Sequence, residues 1–435
     1  MQKIERILFY LLIFFLPFGT RMVLKSWGGE FNEWNSAFFY LNDVFLLATV
    51  FLWALRVRGK ILEFDIVNVV LLFFLLWNLL SIIVSENYGI SIYRLIKFFE
   101  LTVFFWYVRG NIYQYYKTSK LEKIIWIIIA SGLVQVVVAG WQFINQRAIG
   151  LIVLDESPIA PDVAGVAKLA EEGVKIVRSY GLLPHPNILG AFLLLGVALC
   201  LILVFIYKRS NFLNNILPLV SLAILMLGIF FSFSRYIILS LLLMLIMLII
   251  LPNISLATKG WNKVKVISIY LFAFLSFGLV FKTELFSRFT TINQGYGLSS
   301  RILYNQVAEQ LILAHPLLGV GVGNYVWTVR NSMQYAWQVQ PVHNIFLLIA
   351  SEGGVIAGIL FIGLLYLILS RGLRYVIKTK EEGTFKLFNI IIFVTVILIT
   401  GGLFDHYIWT IWQGQLMLWL CLGIISASTE ERAEV

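Results

Sequence analysis

Long apolar runs, separated by short polar segments, follow one another along almost the whole chain. A bilayer core about 30 Å thick requires roughly 17–25 residues of apolar helix, and twelve runs come close to that length. The predicted spans are 4–20, 38–55, 66–84, 90–108, 122–144, 187–207, 213–233, 236–251, 265–281, 344–370, 386–403 and 410–427. The pattern therefore predicts an all-α polytopic membrane protein, in which residues 1–435 form a single integral membrane domain with about 12 transmembrane helices.

The composition agrees with this prediction and excludes other classes. Hydrophobic residues make up 60% of the chain and charged residues 13%, against roughly 25% charged in an ordinary soluble domain. The net charge of +10 does not indicate nucleic-acid binding, because the basic residues form short clusters between the apolar runs. Cys200 and Cys421 lie inside apolar runs, so we expect buried free thiols. We interpret the first run, which follows Lys3 and Arg6, as a retained membrane helix rather than a cleaved signal peptide.

The distribution of basic residues predicts the orientation of the chain. With the N-terminus in the cytoplasm, the inner segments carry 20 Lys and Arg residues and the outer segments carry 11. Basic residues are enriched in short cytoplasmic loops. The bias predicts that both termini face the cytoplasm.

Two long outer loops follow from this topology, at 145–187 and 282–343. Loops of this length inside a compact fold are usually functional or disordered, and neither has a disordered composition. In the second loop, apolar residues recur at helical spacing over 299–313. They predict an amphipathic helix that lies on the membrane surface or packs across the bundle.

All four histidines fall on the predicted outer side: His185, His315, His343 and His406. His343 and Asn344 precede an apolar helix, whose dipole lowers the pKa of an imidazole and favours its neutral form. A neutral imidazole suits a general base. The alternative is a capping histidine without a chemical role. Asp405 and His406 open the last helix, either as caps or as additional polar contacts.

Arginines accompany these histidines. Arg235 ends the very short segment Ser232–Arg235 between two apolar runs, and a charge at a membrane edge marks a functional site by default. The alternative is an arginine that reaches lipid phosphate. Arg178 precedes a turn rich in Gly and Pro that leads to His185 and Asn187, so Arg178 and His185 are expected to face the same place, whereas Asn187 is also a candidate helix cap.

The outer side thus combines arginines and histidines with few carboxylates. Arginine binds phosphate through two parallel hydrogen bonds and stays charged, which suits a lipid-linked phosphate or diphosphate. Glu30 and Glu33 come closest to an acidic pair, but no third metal ligand accompanies them. We therefore expect no metal and no other cofactor, with arginines neutralising the diphosphate.

Five short motifs together resemble the O-antigen ligase and polymerase family of bacterial membrane glycosyltransferases. They are Arg178–Gly190, Ser232–Arg235, Ser300–Arg301 with His315–Tyr325, His343–Gly358, and Leu403–Trp409. Each motif is short, and their order and spacing over about 145–425 carry the resemblance. The first hundred residues match only in hydropathy.

The resemblance implies a metal-independent, inverting enzyme of the bacterial inner membrane whose active site faces the periplasm or exterior. It would move a glycan from undecaprenyl diphosphate to an acceptor hydroxyl. His343 would be the base, and Arg178, Arg235 and Arg301 would bind the diphosphate. His185, Asn187, His315, Asn344, Asp405 and His406 are further candidates. Arg94 and Lys97 match no family motif. They would either flank the groove that holds the lipid diphosphate or, together with Glu100, form pairs within their own helix.

Other functions stay open at this stage. Ligases and polymerases share these motifs and differ in the acceptor, which would be lipid A core, a growing glycan, a protein or another envelope polymer. The loop at 145–187 favours a ligase. A transporter or flippase would place charges near the bilayer midplane and show inverted repeats, whereas the polar residues here cluster at one face. A purely structural or binding protein is the remaining alternative.

Overall fold

The structure is a bundle of long helices. It is a computed structural model that describes residues 1–29, 31–57, 65–117, 120–171, 174–205, 212–250, 261–284, 296–333, 335, 338–378 and 382–427. The helices are α1 (Gln2–Phe15), α2 (Leu41–Val57), α3 (Ile66–Ser81), α4 (Tyr88–Lys117), α5 (Lys120–Asn145), α6 (Pro186–Phe205), α7 (Phe212–Phe231), α8 (Arg235–Ile250), α9 (Trp261–Val280), α10 (Tyr296–Ala314), α11 (Tyr325–Val329), α12 (Ile345–Lys378), α13 (Glu382–Gly401), α14 (Tyr407–Thr410) and α15 (Trp412–Ala427). Each of the twelve apolar runs overlaps one of these helices.

Within the described residues, six helical segments are long and apolar enough to cross a membrane, and three shorter helices are also apolar. The six are Ile66–Val84, Lys120–Asn145, Pro186–Phe205, Phe212–Phe231, Asn262–Val280 and Ile345–Lys378, and the three are Arg235–Ile250, Phe388–Gly401 and Trp412–Ala427. The chain is thus a polytopic membrane protein. Twelve crossings remain a prediction, because three of the other helices are shorter than the criterion requires and α1, α2 and α4 belong to neither group.

The expectation of an all-α fold is wrong in detail, since two antiparallel hairpins lie between the helices. One pairs β1 (Arg21–Ser26) with β2 (Ser36–Tyr40), and the other pairs β3 (Lys168–Glu171) with β4 (Val174–Val177). Strands of four to six residues are too short to appear in a search for spans of 17 or more. Outside a helix, pairing of this kind satisfies backbone N–H and C=O groups that would otherwise be left unpaired.

Helix α12 is interrupted one third of the way along. Gly354 has φ +77°, a conformation that glycine adopts without the steric cost of a Cβ atom. The turn that follows α10 inserts at this break, where the N–H of Val320 donates to the carbonyl of Ser351 at 2.9 Å and that of Gly321 to the carbonyl of Glu352 at 2.8 Å. A Cβ atom on Gly354 would lie 1.8 Å from the carbonyl oxygen of Leu317, so the break and the turn depend on each other.

Ion pairs join the helices at the end of the bundle where α1 begins and α2 ends. Arg56 Nε lies 2.9 Å from Glu5 Oε2, and Arg109 Nη2 lies 3.0 Å from Asp65 Oδ2. Arg371 also binds Asp65, which ties α12 to α3 and α4. Several basic residues of the predicted inner side therefore pair with buried or half-buried carboxylates.

We expect cysteine labelling from outside the cell to reach a cysteine placed at Asp162 and not one placed at Lys263 or Lys378, because the charge bias puts the first outside. The native thiols give little background, since Cys200 and Cys421 are both buried and unpaired. The expectation for Gln294 is the same as for Asp162, although it lies outside the described residues. Labelling at Lys263 and Lys378 in intact cells would reverse the orientation.

Candidate functional site

A cavity of about 640 Å³ opens at the end of the bundle where α5 ends and α6 begins. It is called the main cavity below. Eight of the residues singled out in the sequence line it: Arg178, His185, Asn187, Arg235, Arg301, His343, Asp405 and His406. These residues span more than two hundred positions of the chain, so the fold brings together groups that the sequence keeps far apart.

Arg178 follows the second hairpin and is a mostly buried residue of the lining of the main cavity. Its Nε donates to the carbonyl oxygen of Ser232 at 2.7 Å, and its Nη2 donates to Asn187 Oδ1 at 2.8 Å. Asn187 in turn donates from Nδ2 to Asp405 Oδ2 at 2.7 Å. Through these hydrogen bonds, Arg178 and Asn187 connect the turn before α8, the start of α6 and the start of α14. Asn187 is therefore a member of this hydrogen-bond network as well as a residue of the first turn of α6.

His343 and His406 lie side by side just before α12 and α14. The centroids of their rings are 5.1 Å apart and the planes are inclined by 79°. Tyr304 of α10 also stacks on His343, with centroids 5.7 Å apart and planes inclined by 6°. Nδ1 of His343 is buried without a hydrogen-bond partner among the described residues, whereas Nδ1 of His406 lies 2.7 Å from the hydroxyl of Thr410.

Burial sets the charge of these groups. It lowers the pKa of His185 to about 4 and that of His406 to about 3, and it also lowers the pKa of His343, although the charge of Asp405 opposes each shift. Burial would raise the pKa of Asp405, but the three histidines and the hydrogen bond from Asn187 outweigh it and bring the value to about 2. At pH 7 the histidines are therefore neutral and Asp405 is ionised.

Arg235 and Arg301 are two of the four arginines in the described lining of the main cavity. Arg235 begins α8 directly after the tight turn Ser232–Ser234, in which Phe233 has φ +44°. Arg301 lies one and a half turns into α10 and makes no hydrogen bond or ion pair with any part of the chain that the structure describes. The two guanidinium charges are close enough to repel each other. The described lining holds four arginines and two carboxylates, so it favours an anion.

The structure leaves four of the sequence candidates outside the main cavity. His315 is exposed at the end of α10, and Asn344 caps α12 by accepting from the N–H of Phe346 at 3.0 Å. Lys97 is buried between Asp43 and Glu100, the latter at 2.9 Å, which confirms the pairing within its own helix. Arg94 donates to the carbonyl of Thr410 at 3.3 Å and lines a smaller cavity beside Glu352.

Sequence reasoning missed Arg21, Trp34 and Gln340 in this lining, and it considered Glu33 only as half of an acidic pair. Arg21, Glu33 and Trp34 belong to the hairpin of β1 and β2 or to the short 3-10 turn Glu33–Asn35 before β2. The separation of 12 residues between Arg21 and Glu33 does not suggest a contact, yet Arg21 Nη2 donates to Glu33 Oε2 at 2.8 Å. Glu30, the other member of the expected acidic pair, lies outside the described residues.

Among the described residues, no group of three or more His, Cys, Asp or Glu side chains is arranged to hold a metal ion. The carboxylate of Asp405 is engaged by Asn187 and by the backbone N–H of His406, at 2.7 and 2.8 Å. The chemistry that the site can perform with its own groups is therefore proton transfer by a neutral histidine and stabilisation of an anion by arginines.

Comparison with known proteins identifies one region. Residues 219–362 match the family model described as O-antigen ligase, which confirms the resemblance for the three of the five motifs that lie inside this range. The match extends from α7 to α12 and includes Arg235, Arg301 and His343, whereas Arg178, Asn187 and Asp405 join the site from outside it. Comparison with curated proteins gives no match. The chain is thus a polytopic membrane protein in which residues 219–362 are similar to the O-antigen ligase family.

Proposed function

With an O-antigen ligase domain at residues 219–362 as the premise, we propose that the protein transfers a glycan from undecaprenyl diphosphate to an acceptor hydroxyl. The reaction takes place in the main cavity, on the outer side of the bacterial inner membrane. It is a single displacement with inversion at the anomeric carbon and uses no metal. The observation that carries the proposal is the placement of Arg235 and Arg301 around the same cavity as the neutral His343.

The arginines bind the diphosphate. Arg301 makes no internal ion pair in the described structure, and its repulsion from Arg235 is relieved when an anion lies between them. Bidentate contacts to phosphate are stronger than neutral hydrogen bonds and fix the orientation of the group. Arg178 contributes its charge from the lining of the main cavity, while its hydrogen bonds to Ser232 and Asn187 hold the turn before α8 against the start of α6.

His343 acts on the acceptor. In its neutral form it takes the proton of the acceptor hydroxyl as the oxygen forms a bond to the anomeric carbon. The bond between that carbon and the diphosphate oxygen breaks at the same time, and its electron pair leaves with undecaprenyl diphosphate. The arginines stabilise this developing charge, a contribution that is usually among the largest in such sites. Asp405 stabilises the imidazolium that forms, because its charge is felt by His343.

The test is transfer by the purified protein in lipid nanodiscs, with a polyprenyl-diphosphate-linked glycan as donor. Lipid A core, a second glycan chain and a glycan-free peptide are offered as acceptors. A product on lipid A core identifies a ligase, and a lengthened glycan identifies a polymerase. If no acceptor is glycosylated and the donor instead crosses the bilayer in sealed vesicles, the protein is a flippase and the proposal is wrong.

We expect transfer to continue in excess EDTA, because arginines rather than a divalent ion neutralise the diphosphate. The measurement is the initial rate of transfer with EDTA and after addition of Mg²⁺ or Mn²⁺. Loss of activity in EDTA that either ion restores would contradict the arginine-based mechanism. It would leave the proposed identity of the donor and the acceptor unaffected.

A further inference from the structure

We propose that Trp34, together with Arg21 and Glu33, forms a subsite that binds a sugar ring of the donor glycan. These three residues are called the hairpin wall below. All three line the main cavity, and the match to the O-antigen ligase family begins far downstream of them, at residue 219. The inference rests on the proposed function, because it assumes that the lipid diphosphate in the cavity carries a glycan.

The hairpin wall is held in a fixed shape. Glu33 receives two hydrogen bonds from the guanidinium of Arg21, one of them from Nη2 to Oε2 at 2.8 Å, and Arg21 Nε lies 2.9 Å from Asp155 Oδ2. Asn32 Oδ1 accepts from the backbone N–H of Trp34 at 2.9 Å. The carboxylate and the indole are thus positioned before a ligand arrives, which lowers the entropic cost of binding.

Trp34 lies close to the proposed base. Its ring meets that of His406 edge to face, with centroids 4.9 Å apart, and His406 is the immediate neighbour of His343. The indole is only partly buried and lines both the main cavity and the smaller cavity beside it. Its N–H has no hydrogen-bond partner among the described residues, so the polar edge of the ring is available.

The chemistry of the hairpin wall fits a sugar. A pyranose ring has an apolar face of C–H groups and a rim of hydroxyls. An indole offers a large apolar surface and one donor, and the carboxylate of Glu33 accepts strong hydrogen bonds from hydroxyls. The bond that breaks joins the first sugar to the diphosphate. That sugar must therefore occupy the same cavity as Arg235, Arg301 and His343, where the hairpin wall supplies further charged and aromatic lining.

The test compares two ligands, the polyprenyl-diphosphate-linked glycan and undecaprenyl diphosphate without a glycan. We expect Trp34→Ala to weaken binding of the glycan-bearing donor by about tenfold, the effect of losing one good contact, and to leave binding of the bare lipid unchanged. Trp34→Phe keeps an apolar ring and should recover most of the affinity. Trp327→Ala is the matched control, because Trp327 is also partly buried but does not line the main cavity.

Each outcome is decisive. Equal affinity of wild type and Trp34→Ala for the glycan-bearing donor overturns the subsite. So does an equal loss for both ligands, which would mean that Trp34 only supports His406 by packing. Failure of the proposed function looks different, since the wild-type protein would then bind neither ligand in the main cavity and Arg301→Ala would change nothing.

Discussion

Replacement of His343 by alanine is expected to slow glycan transfer by roughly 10²–10⁴-fold, the usual contribution of a general base. The affinity for the lipid-linked donor should change little, because His343 acts on the acceptor hydroxyl and the arginines hold the diphosphate. The measurement is the transfer rate and, separately, donor binding for the purified variant, after its folding in the membrane has been verified.

His315→Ala is the matched control, because His315 is exposed at the end of α10 and does not line the main cavity; its activity should equal that of the wild type. The pH profile gives a second readout. Burial lowers the pKa of His343 below the usual 6.5, so the base form persists in mild acid and the acid limb of kcat/KM should lie below pH 6.5. Near-normal transfer by His343→Ala would mean that His343 is not the base and only stacks on Tyr304.

Replacement of Arg301 or Arg235 by alanine is expected to weaken donor binding by about 10–100-fold, since a hydrogen bond to a charged group contributes about 1.5–3 kcal/mol. The transfer rate should fall further, because the same guanidinium stabilises the leaving diphosphate. Donor affinity and single-turnover rate measure the two effects separately. The arginine variants should lose as much affinity for bare undecaprenyl diphosphate as for the glycan-bearing donor. The Trp34→Ala variant, in contrast, should lose affinity only for the glycan-bearing donor.

Two further variants make the arginine experiment specific. Arg301→Lys keeps the charge but not the planar fork, and we expect it to restore only part of the affinity. Arg330→Ala removes an arginine that pairs with Glu86 at 3.2 Å and does not line the main cavity, so it should bind donor normally. Normal donor binding by both Arg301→Ala and Arg235→Ala would mean that the diphosphate lies elsewhere.

The helices were predictable because their apolar runs are long. Each predicted run is a helix in the structure, and α10 occupies Tyr296–Ala314 where a helix over 299–313 was expected. Its position relative to the membrane surface remains a prediction. The break in α12 was not predicted, since it arises from contact between Gly354 and the turn after α10 rather than from the composition of α12 itself.

Part of the lining of the main cavity was also predictable from the sequence. Arg178, Arg235, Arg301 and His343 stand next to helix ends at the same predicted face, and helix ends that share a face lie close together. The hairpin wall could not be found in this way, because Arg21 and Glu33 meet only after β1 and β2 have paired.

Charge alone was a poor guide to the residues that contact the main cavity. Lys97 is unusual in an apolar run, and the structure explains it by the flanking carboxylates of Asp43 and Glu100. Burial of a lysine between two acidic groups satisfies its charge without a ligand. A buried ion pair and a ligand-binding cation look the same in sequence, and only the partners distinguish them.

The most direct test of the proposed site is a structure of the purified protein with undecaprenyl diphosphate bound in a nanodisc. We expect the diphosphate in the main cavity, with its oxygens within hydrogen-bond distance of Arg235 and Arg301 and its terminal phosphate facing His343. A diphosphate bound beside Arg94 or Lys97, with the main cavity empty of lipid, would contradict the assignment of the donor site.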